Sequence, residues 1–292
     1  MRRLTRRRFV LGGAAAVAAG AMAAAGRLRA PGEAGGEKPD HPGHKPTGRQ
    51  WAMVIDLRKC EGCTTIDKPP QCTAACQEKH FLPEDQTWIK VFEMEHPDGG
   101  TFFMPRPCMQ CENAPCLNVC PVAATYRDES GNILVDQDRC IGCRMCMAAC
   151  PYGARYFNWG DAPAPDAQTV FAQRSPDYPV PQKRGTVGKC VFCAHETEFG
   201  KLPACAEGCP MKAIYFGDLT ENIATNGKEV VILSRFVAEN SGYRYKEELG
   251  TQPRVYYIPG HGQEFGRKAQ DERDLLPVTW DYGLPHSAGH QP

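Results

Sequence analysis

Residues 108–151 read CMQCENAPCLNVCPVAATYRDESGNILVDQDRCIGCRMCMAACP, and the fold turns on where their eight cysteines fall. They form two quartets, Cys108, Cys111, Cys116, Cys120 and Cys140, Cys143, Cys146, Cys150, each closed by Cys-Pro. The second quartet runs C-x2-C-x2-C-x3-C-P; the first differs only by x4 in place of the second x2. The 19 residues between Cys120 and Cys140 read as a strand around Thr125 and Tyr126, a turn over 128–132 and a strand at Ile133–Val135.

This is the spacing by which bacterial ferredoxins hold cubane iron–sulfur clusters on thiolates. Four sulfurs must converge on one small cube, and two residues between ligands let three of them reach it from one tight loop. The fourth comes from elsewhere: in two-cluster ferredoxins the last Cys of one motif ligates the other motif's cluster. The inferred ligand sets are therefore Cys108, Cys111, Cys116 with Cys150, and Cys140, Cys143, Cys146 with Cys120. Sixteen cysteines are also compatible with a disulfide framework if the chain works in an oxidising compartment, and structural zinc accepts CxxC pairs. Zinc, however, takes its ligands as two separated pairs, and a 292-residue chain buries an ordinary core without eight staples.

Working outward, MVIDLRKCEGC (53–63) repeats ILVDQDRCIGC (133–143): an apolar strand, an acidic residue, a basic residue, then CxxC. A further quartet, Cys60, Cys63, Cys72, Cys76, is built on it, with eight residues between Cys63 and Cys72 as an enlarged surface loop and Gln77 in place of the closing proline. The last quartet is Cys190, Cys193, Cys205, Cys209, followed by Pro210 and a strand over 213–216. If the central quartets exchange their fourth ligands, the outer two are left to each other, giving Cys60, Cys63, Cys72 with Cys209, and Cys190, Cys193, Cys205 with Cys76. CVFCAH lacks the His directly after the second Cys that c-type haem attachment needs, so His195 reads as a loop residue.

Segment 81–107 alternates apolar residues around 88–92 and 102–104 with a turn at 97–100, a β-hairpin pattern in which Trp88 and Phe92 are packing residues. Tyr152, Tyr156, Phe157 and Trp159 are expected to shield a cluster from water and pack the domain. Residues 219–240, with a cap at Thr220 and Val230, Leu233, Phe236 and Val237 at helical spacing, predict one amphipathic helix, and 254–258 a short strand.

Residues 1–30 carry seven arginines and no acids, so a chain cut near residue 30 holds 27 basic against 34 acidic residues, about −7. No basic stripe remains, which disfavours nucleic-acid partners. TRRRFV (5–10), with the pair Arg6 and Arg7 and Phe9 following, then a weakly apolar run over 11–26, reads as a twin-arginine leader cut after Ala25 or Ala30. That route exports folded protein, so clusters are built in the cytoplasm before the thiols meet an oxidising compartment. No stretch after residue 30 is apolar enough to span a bilayer, so membrane association is expected through partners only. No GxGxxG, phosphate loop or acid–base constellation marks a catalytic centre.

With four quartets so spaced, the stretches RPCMQCENAPCLNVCP and CIGCRMCMAACPYGARYF and the closing CAEGCPMKAIYFGDL, residues 51–258 resemble the four-cluster electron-transfer subunits of molybdopterin oxidoreductase complexes. The leader points within that group to dimethyl sulfoxide, polysulfide, tetrathionate and cytochrome-nitrite reductase-type systems. The resemblance implies an α+β fold of two ferredoxin-like domains with extended loops, a C-terminal helix and a tail. The inner domain is 108–160; the outer combines 51–107 and 186–258. Around them lie the signal peptide (1–30), a flexible lead-in (31–50), a Pro-rich loop (161–185) and a tail (259–292). It also implies four [4Fe–4S] clusters, a catalytic molybdopterin-type subunit, an integral membrane quinol-binding subunit and a periplasmic location. Alternatives are the electron-transfer subunit of a hydrogenase or formate dehydrogenase complex, an enzyme with its own site among the clusters, and a metal-stabilised structural or assembly protein.

Overall fold

A computed structural model describes residues 48–83, 85–95, 100–163 and 174–260. The leader, most of the lead-in, the turn expected at 97–100 as far as residue 99, the middle of the Pro-rich loop and the tail beyond residue 260 lie outside the described residues.

The apolar run before the first CxxC forms β1 (Trp51–Asp56), whose residues from Ala52 to Asp56 are wholly buried. Alternation sends Met53 and Ile55 into the core shared with the cysteine loops, while Ala52 and Val54 face a second cluster with Tyr215, Leu233 and Ile258. Both faces being covered, β1 sits mid-sheet. It pairs antiparallel with β8 (Ile214–Asp218; Met53 opposite Phe216) and parallel with β12 (Val255–Ile258; Met53 opposite Val255). With β9 (Ile223–Thr225), β10 (Val230–Ile232) and β11 (Tyr243–Arg244) the sheet runs β10-β9-β8-β1-β12-β11. The termini of the cysteine-bearing region thus meet in one sheet, and each large side chain buried there contributes roughly 1.5–3 kcal/mol.

The other strands are ribbons. β2 (Lys90–Glu95) pairs with β3 (Thr101–Arg106), β4 (Thr125–Arg127) with β5 (Ile133–Val135), and β6 (Tyr156–Phe157) with β7 (Val187–Gly188). The helices are α1 (Gln71–His80), α2 (Pro115–Asn118), α3 (Met145–Ala148), α4 (Ala194–Thr197), α5 (Ala204–Glu207) and α6 (Leu233–Glu239). His195 lies in α4 and not in a loop. The described part is a mixed α/β structure with few and short helices, and none of them is long and apolar enough to cross a membrane.

The helix expected over 219–240 is corrected to the hairpin β9–β10 followed by seven-residue α6. Asn226-Gly227 is the cause: Asn226 Oδ1 accepts the Lys228 and Glu229 N–H groups at 3.0 Å each, and Gly227 turns at φ +83°. Thr220 does not cap a helix; its N–H donates to Asp218 Oδ1 (2.8 Å).

Candidate iron–sulfur sites

In the first and third quartets the CxxC follows a turn that the acidic residue of the repeat closes. Asp56 Oδ1 accepts the Arg58 N–H (3.1 Å), and Asp136 Oδ1 accepts the Asp138 N–H (2.9 Å). In all four quartets the residue before the second cysteine then takes a left-handed backbone: Gly62 (φ +61°), Gln110 (+45°), Gly142 (+70°) and Phe192 (+53°). At Gly62 a Cβ would stand 2.5 Å from the Phe103 ring, and at Gly142 2.2 Å from the Gly185 carbonyl oxygen, so both positions require glycine.

Closure follows the proline. Third after each Cys-Pro cysteine comes another left-handed residue, Ala123, Gly153 or Lys212, whose N–H returns to the carbonyl of Cys120, Cys150 or Cys209 (3.3, 3.3 and 3.2 Å). Gln77 lacks that block, so α1 runs on to His80.

The loops gather their sulfurs across quartets. Cys108, Cys111, Cys116 and Cys150 line one cavity with Tyr152 and Arg155 (site 2), and Cys60, Cys63, Cys72 and Cys209 line another under Val91 and Pro105 of the β2–β3 hairpin (site 1). Cys76 lies within electrostatic reach of Cys190 and Cys193, and Cys205 of Cys193, Cys76 and Cys190 (site 4). Of the remaining set (site 3), Cys146 lies near Cys140, Cys120 is half-buried and Cys143 is exposed. Sites also abut: Cys205 feels Cys72, Cys190 feels Cys108, and Cys146 feels Cys116.

The donor chemistry fits iron–sulfur clusters. None of the sixteen cysteines is in a disulfide, and backbone N–H groups point at sulfur, from Gln71 to Cys63 (3.4 Å), Thr125 to Cys120 (3.5 Å) and Ala213 to Cys209 (3.4 Å). Burial pushes Cys72, Cys111 and Cys193 up to about 12 and Cys60 and Cys190 to about 11. Such thiols stay protonated until a cation takes the proton's place.

Three basic side chains at these sulfurs are marked by no cysteine spacing. Arg155 Nη2 donates to Cys116 Sγ (3.0 Å), Lys189 Nζ lies 3.7 Å from Cys108 Sγ, and His80 Nε2 3.3 Å from Cys193 Sγ. Burial works against the Arg155 charge, but Cys116 and Cys146 overcome it and leave its pKa above the ordinary value. His80 is pushed down to about 3, chiefly by burial, and its ring packs against Trp88 (centroids 4.8 Å) and edge-on to His195 (5.5 Å). Proline's absence after Cys76 was the available signal for His80, since the longer helix delivers it.

The shielding role expected of Trp159 is corrected: it is 55% exposed, packed on Phe157 (4.5 Å) with the Arg144 guanidinium above it (5.0 Å). Tyr152 is buried against site 2.

A 4Fe-4S dicluster domain model matches residues 100–176 and 175–219. A selenate reductase subunit of Mesobacillus selenatarsenatis is 40% identical over 222 residues, 72% of each chain. A putative dimethyl sulfoxide reductase iron-sulfur subunit of Halobacterium salinarum is 38% identical (72% of this chain, 79% of that one). The iron-sulfur cluster-binding subunit of a menaquinone reductase from Nitratidesulfovibrio vulgaris is 37% identical (72% and 88%). The chain belongs to the family of iron–sulfur subunits of molybdopterin-type reductases. As such an iron–sulfur subunit it transfers electrons within a respiratory reductase complex, and catalysis belongs to a partner. The domain match leaves out the first quartet, yet that quartet has the same left-handed turn before its second cysteine as the matched ones.

Proposed function

We propose that this subunit holds four [4Fe–4S] clusters in the spatial order site 1, site 4, site 2, site 3, and relays single electrons between an integral membrane quinol-binding subunit and a catalytic molybdopterin-type subunit. The ligand sets are Cys60, Cys63, Cys72, Cys209; then Cys190, Cys193, Cys205, Cys76; then Cys108, Cys111, Cys116, Cys150; then Cys140, Cys143, Cys146, Cys120. The observation that carries the reading is the unbroken run of neighbouring sulfurs, Cys72 to Cys205, Cys190 to Cys108, and Cys116 to Cys146. Sites 2 and 3 form an inner ferredoxin-like unit around β4–β5, and sites 1 and 4 an outer one around β1, β8 and α1. When bound, each cluster accepts and returns one electron. The chain's own residues hold the sulfurs in series and exclude water, Tyr152 at site 2 and the β2–β3 hairpin at site 1.

Site 3 supports a docked partner. Beside exposed Cys143, Ile141 is 63% and Met145 53% exposed, next to the Arg144–Trp159 shelf. An electron reaching this end of the row leaves through that surface, to which we assign the membrane subunit; the menaquinone reductase relative supports a quinone-linked partner. The Arg6-Arg7 leader supports twin-arginine export and an exoplasmic location, with membrane association through partners.

The test is Cys146→Ser in the purified anaerobic complex. The expected result is loss of one cluster signal and of quinol-linked turnover, while turnover from a soluble dye that feeds the catalytic subunit directly survives. Undiminished quinol-linked turnover with that cluster missing would overturn the relay.

A further inference from the structure

Arg155 and Lys189 are 4% and 1% exposed, yet among the described residues neither forms an ion pair with a carboxylate; the Asp128 carboxylate feels the Lys189 charge at longer range, without a hydrogen bond between them. Arg155 donates from Nη1 to Thr125 Oγ1 (3.2 Å) and from Nη2 to Cys116 Sγ (3.0 Å). Lys189 Nζ donates to the Cys190 carbonyl (2.6 Å) and lies 3.7 Å from Cys108 Sγ. A buried cation without a counter-anion is strongly destabilising, and a guanidinium does not shed its charge. The group in contact with each is a cysteine sulfur, which becomes anionic when it holds iron, and both reach the same set, Cys108, Cys111, Cys116 and Cys150.

We infer that Arg155 and Lys189 are positioning residues that raise the reduction potential of site 2, pinning positive charge against two of its four sulfurs and making it the readiest electron acceptor of its neighbourhood. This rests on the ligand sets proposed above. A cluster on four thiolates is anionic and becomes more so when an electron enters, so a fixed cation stabilises the reduced state more than the oxidised one. The electron comes from an adjoining site, which is oxidised as site 2 is reduced. No bond forms or breaks, and no proton need follow because the counter-charge is already in place.

The placement is asymmetric along the row. Arg155 also feels Cys146 of site 3, and Lys189 holds the backbone of Cys190 of site 4, so each cation stands at a junction and site 2 is common to both. At site 4 the side chain at sulfur is the His80 imidazole. At site 1 backbone N–H groups, from Gln71 and Ala213, donate to sulfur. Gln110, wholly buried, ties the same junction as Lys189: its Nε2 donates to the Cys190 carbonyl (2.8 Å) and its Oε1 accepts the Ile133 N–H (2.7 Å).

The experiment is a potentiometric titration of the full anaerobic subunit, followed by paramagnetic resonance, for wild type, Arg155→Met, Arg155→Lys, Lys189→Met and Lys189→Arg. Iron and labile sulfide are counted in each, and a cluster-rich wild type establishes the four-cluster reading independently. Each methionine variant should shift one shared midpoint downward. Arg155→Met should add a smaller fall at the site 3 cluster and Lys189→Met one at the site 4 cluster, with site 1 unmoved; the charge-retaining variants should recover most of the shared shift. Unmoved midpoints in cluster-replete methionine variants overturn the inference and leave the relay standing. If one methionine variant loses its cluster, the other decides. If both lose it, Arg155→Gln and Lys189→Gln, which remove the charge and keep a polar side chain, decide: unmoved midpoints in those cluster-replete variants overturn the inference.

Discussion

Gly142→Ala and Gly153→Ala form a matched pair that tests whether the cysteine loops are held by backbone geometry or by local crowding. Both glycines are left-handed, at φ +70° and +59°, so an alanine at either costs about 1–2 kcal/mol for the conformation alone. They differ in surroundings. Nothing lies within 4 Å of a Cβ at Gly153, whereas at Gly142 it would meet the Gly185 oxygen at 2.2 Å and Phe157 Cε2 at 3.1 Å. Gly185 must then move, and its N–H is bonded to the Asn158 carbonyl (2.7 Å), which adds roughly 1 kcal/mol if that bond is lost. The totals are about 1–2 kcal/mol for Gly153→Ala and about 2–3 kcal/mol for Gly142→Ala, or roughly 2–8 °C and 4–12 °C in melting temperature for a chain of this size. Parallel anaerobic melts at one scan rate, read by far-ultraviolet dichroism and by the visible absorption of the clusters, measure the difference. Equal shifts, or a larger one for Gly153→Ala, would show that the Gly185 contact does not constrain the site 3 loop.

Acid should promote cluster loss. Thiols raised to about 11–12 by burial keep their protons through neutral pH once iron has gone, so the cluster-free state binds protons that the thiolate-bound state lacks. Release therefore takes up protons and gains about 1.4 kcal/mol per pH unit for each such thiol as pH falls from 8 to 6. Iron extracted by a chelator, corrected for the chelator's own titration, should be greater at pH 6; equal extraction would contradict the linkage. In the sheet, Ile55→Ala removes a wholly buried side chain from the mid-sheet strand and should destabilise by about 2–5 kcal/mol, read as a lower urea midpoint with unchanged slope. A loss under 1 kcal/mol would mean the core there is not closely packed.

What was legible in the sequence was what is local. The β4 and β5 strands and the β2–β3 hairpin follow from period-two alternation and turn residues within thirty positions, and the CxxC turns from Asp56 and Asp136. The region 219–240 failed because two local signals compete there. Val230, Leu233, Phe236 and Val237 sit at helical spacing, but Asn226-Gly227 folds the chain back first, so Val230 goes into β10 while the other three remain with α6 and its core. The pairing of β1 with β12 joins residues some two hundred positions apart, and no pattern within either strand names its partner. The same holds for the groups at sulfur. Lys189 is adjacent in sequence to Cys190, yet its ammonium reaches Cys108, because the buried Gln110 clamps the second quartet onto the fourth. Cysteine spacing specifies where a cluster can be held. The charge at its sulfurs depends on which loops the sheet brings face to face, and for an electron carrier that second level sets the potential.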